Sequence, residues 1–185
     1  VEIRERLAFK ADEIPETLEQ LLEMDSVSEA VLLSTCNRVE VIIAAADLDS
    51  GIDSIKRMLS EKKEIDASLL EKYLYVHKNR DAIRHIFRVA SSLDSMVIGE
   101  PQILGQIKDA FQISTDKKSS GVILNRLLHK TFFTAKRVRS ETGIGDNADV
   151  EGHRMWHREG GDAPDLAHAE GLELGEPHFG YRQRQ

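Results

Sequence analysis

The segment Ser34-Thr35-Cys36-Asn37-Arg38-Val39-Glu40 sets the only cysteine of a 185-residue chain beside hydroxyls, an amide and a guanidinium. A thiol becomes a strong nucleophile when it ionises, and an adjacent cation favours the thiolate. Arg38, two residues on, supplies that cation. Its planar fork could equally grip a substrate carboxylate through two parallel hydrogen bonds. The structural alternative is an unpaired cysteine serving as a small buried hydrophobe, the commoner fate of such residues. Apolar runs at 30–33 and 39–46 flank the segment, which reads as strand, tight polar turn, strand, with the thiol at a strand end.

The elements that must position this turn follow from periodicity. Residues 11–24 read as a helix, with Asp12 and Glu13 near its start, Pro15 in the first turn, and Ile14, Leu18, Leu21 and Leu22 on one face. After the two strands, 47–51 reads as a turn. Ile52, Ile55, Met58 and Leu59 then make a second amphipathic helix with Lys56 and Arg57 outward. Residues 66–70 suit a short helical turn. Tyr73-Leu74-Tyr75-Val76-His77 is aromatic and branched enough for a third strand. Asn79 or Asp81 can cap a helix carrying Ile83, Ile86, Phe87, Val89 and Ala90. Gly99 closes one element, and Pro101 suits the first turn of a helix running to about Ser114. A polar loop at 116–121 precedes a long helix over 122–141, with Leu124, Leu127, Leu128, Thr131, Phe132, Ala135 and Val138 inward.

Bulk composition narrows the classes. The apolar share of 41% and charged share of 31% suit a globular chain long enough to bury a core without staples. One cysteine makes no internal disulfide and no thiolate metal cluster, which points to a reducing compartment. No apolar run approaches the ~18 residues of a membrane span, and no basic-then-apolar leader is visible. A soluble protein of the cytoplasm, or of an organelle matrix such as the plastid stroma, is expected. The net charge of −7 argues against wholesale nucleic-acid binding. Yet Lys130, Lys136, Arg137 and Arg139 crowd one segment with only Glu141 nearby, and a local basic patch can meet a phosphate backbone. A solvated helix face is the simpler explanation.

From about Ala148 the composition changes. The remainder lacks lysine, isoleucine, serine, threonine and asparagine, yet holds six of the twelve glycines and four of the seven histidines. It reads as a disordered extension, an artefact, or translation from another reading frame. His153, His157, His168 and His178 are read as incidental rather than metal-binding, because Gly152, Gly160 and Gly161 oppose a helix that would align the first two.

Two passages taken together go further. Ser34–Glu40 and Ser92-Leu93-Asp94-Ser95-Met96-Val97-Ile98-Gly99-Glu100-Pro101-Gln102-Ile103-Leu104-Gly105-Gln106-Ile107-Lys108 resemble the catalytic N-terminal domain of glutamyl-tRNA reductase. Ala135-Lys136-Arg137-Val138-Arg139-Ser140-Glu141-Thr142 with Ile144-Gly145 continues the resemblance, which runs from about Val1 to Asn147. It implies an α+β fold over 1–147, a small mixed or antiparallel β-sheet packed with helices; the tail over 148–185, read from its composition as disordered, lies outside the resemblance. It also implies reduction of the glutamyl group of glutamyl-tRNA by NADPH to glutamate-1-semialdehyde, which feeds tetrapyrrole (porphyrin and heme) synthesis.

On this resemblance Cys36 is the nucleophile that forms a thioester, and His85 is the active-site histidine that supports the thiolate or handles protons. His77 is a lower-ranked rival. Taken alone, His85 would usually be a hydrogen-bonded structural histidine. Thr35, Arg38, Ser95 and Gln102 resemble the pocket that grips glutamate, while Asn37 and Glu40 hold the turn in shape. Gly99 and Gly105 permit turns and close packing, and Met96, Val97 and Ile98 are core. Glutamyl-tRNA is the implied partner, with glutamate-1-semialdehyde aminotransferase as a second. A monomer is expected, since the family dimerises through C-terminal helices not found here.

Two departures qualify the resemblance. The family's opening strand, a Gly-Ile-Asn-His-Lys-Thr-Ala-Pro-like segment, is absent, so the sheet is expected to lack a member. No G-x-G-x-x-G turn follows a strand in the tail, which is too short for a nucleotide-binding domain. The leading expectation is therefore an enzyme fragment that forms the thioester and lets water release glutamate. The alternatives are a non-catalytic module that binds tRNA or a partner, and a truncated product that aggregates without a stable fold.

Overall fold

The apolar runs on either side of Cys36 form an antiparallel hairpin, β1 (Val27–Ser34) and β2 (Val39–Ala45). It belongs to a computed structural model that describes residues 2–94, 102–142 and 144. The register runs from Ser34 opposite Val39 to Val27 opposite Ala45, with an irregularity between Val27 and Glu29. Contacts divide the chain into Val1–Val150 and Glu151–Gln185. The latter unit, with the whole 148–185 segment, lies outside the described residues.

β1 is buried on both faces because successive side chains point to opposite sides of a strand. Ala30 and Leu32 enter one core with Leu7 of α1 (Glu2–Leu7) and Leu18 and Leu21 of α2 (Ile14–Leu22). Leu59 of α3 (Leu48–Lys62) and Leu70 of α4 (Ala67–Glu71) complete that layer. Val31 and Leu33 enter a second core with Ile86 and Val89 of α5 (Asn79–Ala90), Ile107 of α6 (Gln102–Asp116), and Leu124 and Leu128 of α7 (Val122–Thr142). Burying one such side chain contributes roughly 1.5–3 kcal/mol, so β1 draws stabilisation from both sides. The architecture is α+β: a two-stranded antiparallel sheet between two helical layers.

Four local expectations need correction. Residues 73–77 form no strand, because no neighbouring strand pairs with them among the described residues. Tyr73, Tyr75 and Val76 are well exposed, and strand preference has no effect without a ladder to join. The 47–51 turn is in fact the start of α3: Asp47 caps it, accepting from the amides of Asp49 (3.1 Å) and Ser50 (3.2 Å). Neither Asn79 nor Asp81 caps α5. Lys78 holds that position without a side-chain bond, Asn79 takes the left-handed conformation (φ 50°), and Asp81 lies inside the first turn. Gly105 sits inside α6, where a Cβ would meet nothing within 4 Å among the described residues, so among these it serves neither a turn nor close packing. Gly99, Pro101 and Met96–Ile98 lie outside the described residues.

The start of α7 is fixed by a residue that the periodicity did not single out. Glu29, buried on β1, accepts hydrogen bonds from the amides of Gly121 (2.9 Å), Ile123 (3.0 Å) and Leu124 (2.7 Å). A carboxylate there meets the unpaired amides and positive end of the helix dipole. Among the described residues no helix is long and apolar enough to cross a membrane.

Candidate active site

Four residues, Thr35 to Arg38, connect β1 to β2, and the Thr35 hydroxyl organises them. The Thr35 amide donates to the Arg38 carbonyl (2.8 Å). Its Oγ1 accepts from the amides of Asn37 (3.2 Å) and Arg38 (3.0 Å), and donates to the Arg38 carbonyl (3.2 Å). Ser34 ties the base of the turn to the segment after α1, with Oγ accepting from the Phe9 amide at 2.9 Å and donating to the Phe9 carbonyl at 3.1 Å. The outcome is an exposed Cys36. The buried-hydrophobe alternative is thereby excluded. Thr35 therefore holds the turn itself and Asn37 contributes a backbone amide, while the Glu40 side chain ties the turn's Arg38 to residues beyond it.

Behind the turn lies a polar network centred on Glu40, whose side chain is only 6% exposed. Its Oε1 accepts from Arg38 Nη1 (2.9 Å) and the Tyr75 hydroxyl (2.9 Å), and lies 3.1 Å from His85 Nε2. A buried carboxylate is tolerable only when donors surround it, and here they come from the turn, the 73–77 segment and α5. Burial pushes the Glu40 carboxyl up, but the His85 hydrogen bond and charge, then the Tyr75 hydroxyl and Arg38, outweigh it and hold the group below its ordinary value. Tyr75 is largely exposed, but its hydroxyl tip turns in to Glu40; loss of water at that tip, then the Glu40 charge and hydrogen bond, push the hydroxyl far up, so it remains a donor.

His85 and His77, considered as rivals, are neighbours. Their rings stack at 4.5 Å between centroids and 29° between planes, and Tyr75 meets each ring at 5.4 Å. This explains why 73–77 is rich in aromatic residues without forming a strand: its side chains wall one side of His85. Arg38 reaches beyond Glu40 to Asp94, with Nη1 3.3 Å from Oδ2 and Nη2 donating to the Asp94 carbonyl.

The structure therefore brings Arg38, His85 and the Thr35–Cys36 turn to the end of the hairpin nearest Glu40. Gln102 stands exposed at the first residue of α6 and makes no hydrogen bond to this network among the described residues. Ser95 lies outside the described residues, next in sequence to Asp94. Among the described residues no group of three His, Cys, Asp or Glu side chains could hold a metal ion. Glu40 as a hub and Tyr75 as its donor were not anticipated. The available signal was a carboxylate between Val39 and Val41 in an apolar strand, a placement that calls for buried donors.

Comparison with known proteins gives a consistent result. The family model described as "Glutamyl-tRNAGlu reductase, N-terminal domain" matches residues 1–142. The glutamyl-tRNA reductase of Geobacter metallireducens is 53% identical over 148 residues, covering 80% of this chain and 34% of that protein. The glutamyl-tRNA reductase of Desulfatibacillum aliphaticivorans is 52% identical over the same shares. Among solved structures, glutamyl-tRNA reductase from Methanopyrus kandleri matches with a TM-score of 0.58 and 31% identity, covering 75% of this chain and 31% of that one. The chain spans about a third of the length of the curated relatives it matches.

Proposed function

This chain belongs to the glutamyl-tRNA reductase family through its N-terminal domain, and we propose that its own residues capture the glutamyl group of glutamyl-tRNA as a thioester on Cys36. Attack of Sγ on the ester carbonyl forms the C–S bond as the C–O bond to the terminal ribose breaks. The thiol proton passes by way of His85 to the departing ribose oxygen. Arg38 grips the glutamate carboxylate, a planar anion suited to a planar fork, with Ser95 and Gln102 as further contacts. Within the whole family protein this step would serve tetrapyrrole synthesis. The observation that carries the reading is an exposed cysteine on a turn locked by its neighbour's hydroxyl, backed by a half-buried Arg38 and His85 that share the buried Glu40.

NADPH is the hydride donor that the resemblance implies, and the described residues do not fit it. Their one sheet is an antiparallel hairpin, without the strand, glycine turn and helix that cradle a dinucleotide phosphate. The proposed chemistry of these residues thus stops at the thioester, which water cleaves to glutamate and free thiol. Offering glutamyl-tRNA labelled in the glutamate tests this directly. Label should join the protein covalently, be released by hydroxylamine, and be absent from Cys36→Ser. Label on the serine variant, or none on the parent chain, overturns the reading. Semialdehyde formed on adding NADPH would show that the chemistry does not stop there.

One observation favours a second reading, an RNA-binding module. Arg126, Lys130, Phe133 and Lys136 are exposed on α7 at helical spacing, and Phe133 is 53% exposed among these cations, while the neighbouring Arg137 is paired with Glu141 at 2.9 Å. Arg139 leaves this stripe, donating to Ser92 Oγ at 3.0 Å. Cations with an exposed aromatic ring suit phosphates and an unstacked base. Under this reading tRNA affinity falls with salt, and Lys130→Ala with Lys136→Ala lowers both the affinity and the salt slope. Binding indifferent to salt would exclude it.

A further inference from the structure

We propose that Glu40 is a positioning residue that couples the grip of Arg38 on the substrate carboxylate to proton handling by His85. The proposal rests on the thioester reading, and it assigns Glu40 a task different from shaping the turn. The supporting geometry is a single atom. Glu40 Oε1 is shared by Arg38 Nη1, the Tyr75 hydroxyl and His85 Nε2, all within 3.1 Å, on a side chain with 6% exposure.

An ionised carboxylate only accepts, so the bond to Nε2 places a proton there and leaves Nδ1 as the nitrogen able to take one. The ring cannot easily turn away, because His77 stacks on it and Tyr75 meets it edge-on. When His85 accepts a proton, Glu40 faces the resulting imidazolium, as the carboxylate does in hydrolases built on an aspartate–histidine pair. Arg38 competes for the same oxygen. A substrate carboxylate that draws the guanidinium towards itself leaves more of Oε1 to His85, strengthening the base when substrate is in place. Among the described residues, the charged or titratable groups facing His85 are Glu40 and Arg38 from the hairpin and Tyr75 and His77 from 73–77, with Asp94 behind Arg38 and Arg88 of α5 3.8 Å from Asp94.

The test uses the full chain and Glu40→Gln, which keeps the shape but removes the charge, with Glu40→Ala as the harsher variant. Nitrogen-15 shifts of the His85 ring should show the Nε2–H tautomer in the parent chain and a mixture, or the other tautomer, in folded Glu40→Gln. In labelled-glutamate transfer, Glu40→Gln should lower the rate at saturating substrate by about 10- to 100-fold and displace the pH profile, whereas a merely structural role would leave that profile in place. Unchanged ring shifts together with an unchanged pH profile in folded Glu40→Gln overturn the proposal. If the parent chain takes up no label, the thioester reading falls alone, and the ring shifts still decide the role of Glu40.

Discussion

Arg38 already holds a carboxylate, that of Asp94, with Nη1 3.3 Å from Oδ2 while Nη2 reaches the Asp94 carbonyl. A substrate carboxylate bound by Arg38 must displace or share this contact. Asp94 is 38% exposed at its side chain, so the pair is a weak one, on the order of 0.2–1 kcal/mol. Asp94→Asn should therefore tighten binding of the glutamyl substrate by about two- to five-fold, read as a lower half-saturation concentration for label transfer. Weaker binding would show that Asp94 orients Arg38 rather than competing for it.

The Glu40 network also sets an acid limb of stability. Burial opposes its ionisation, but His85, Tyr75 and Arg38 outweigh burial and hold the carboxyl below its ordinary range. A depressed carboxyl stabilises the fold fully above its unfolded value, about 4.3, and this contribution fades as pH falls through the folded value. Urea midpoints should fall on acidification from about pH 7 to about pH 3, and less steeply in Glu40→Gln. Identical acid limbs in the two proteins would contradict this.

Glu29 and Gly121 form a matched pair at the start of α7. Glu29→Ala strands three amides that now share one carboxylate, a loss on the order of 3 kcal/mol. A Cβ at Gly121 would stand 2.6 Å from Glu29 Oε1, so Gly121→Ala should cost about 1–2 kcal/mol. Because the alanine strains the bonds that Glu29 makes, the double variant should be less destabilised than the sum of the singles. Additive losses in chemical denaturation would argue against the pairing.

Gly105 offers the opposite case. It lies within α6 with no described residue near its missing Cβ, and a mid-helix glycine is roughly 0.5–1 kcal/mol worse than alanine. Gly105→Ala should raise the thermal midpoint, and a lower midpoint would reveal a constraint that the fold does not display. If label transfer falls in the stabilised variant, the bare helix surface is where substrate comes closest to α6.

Periodicity and turn chemistry alone determined the hairpin around Cys36, the inward faces of α2 and α7, that of α5 except for the exposed Ile83, and the polar loop, which starts at 117 because Asp116 still ends α6. These are local consequences of which side chains face water. The motif residues of the turn and of 92–108 determined the family. Only the tertiary structure decided that 73–77 stays out of the sheet, that Glu29 starts α7, and that Glu40 joins Arg38, Tyr75 and His85. The physical reason is the same in each case. A strand needs a partner, and a buried carboxylate needs donors; here both depend on residues far off in sequence, Glu29 meeting Leu124 and Glu40 meeting His85. Local pattern shows that such a group must be satisfied, whereas only the folded chain shows by what.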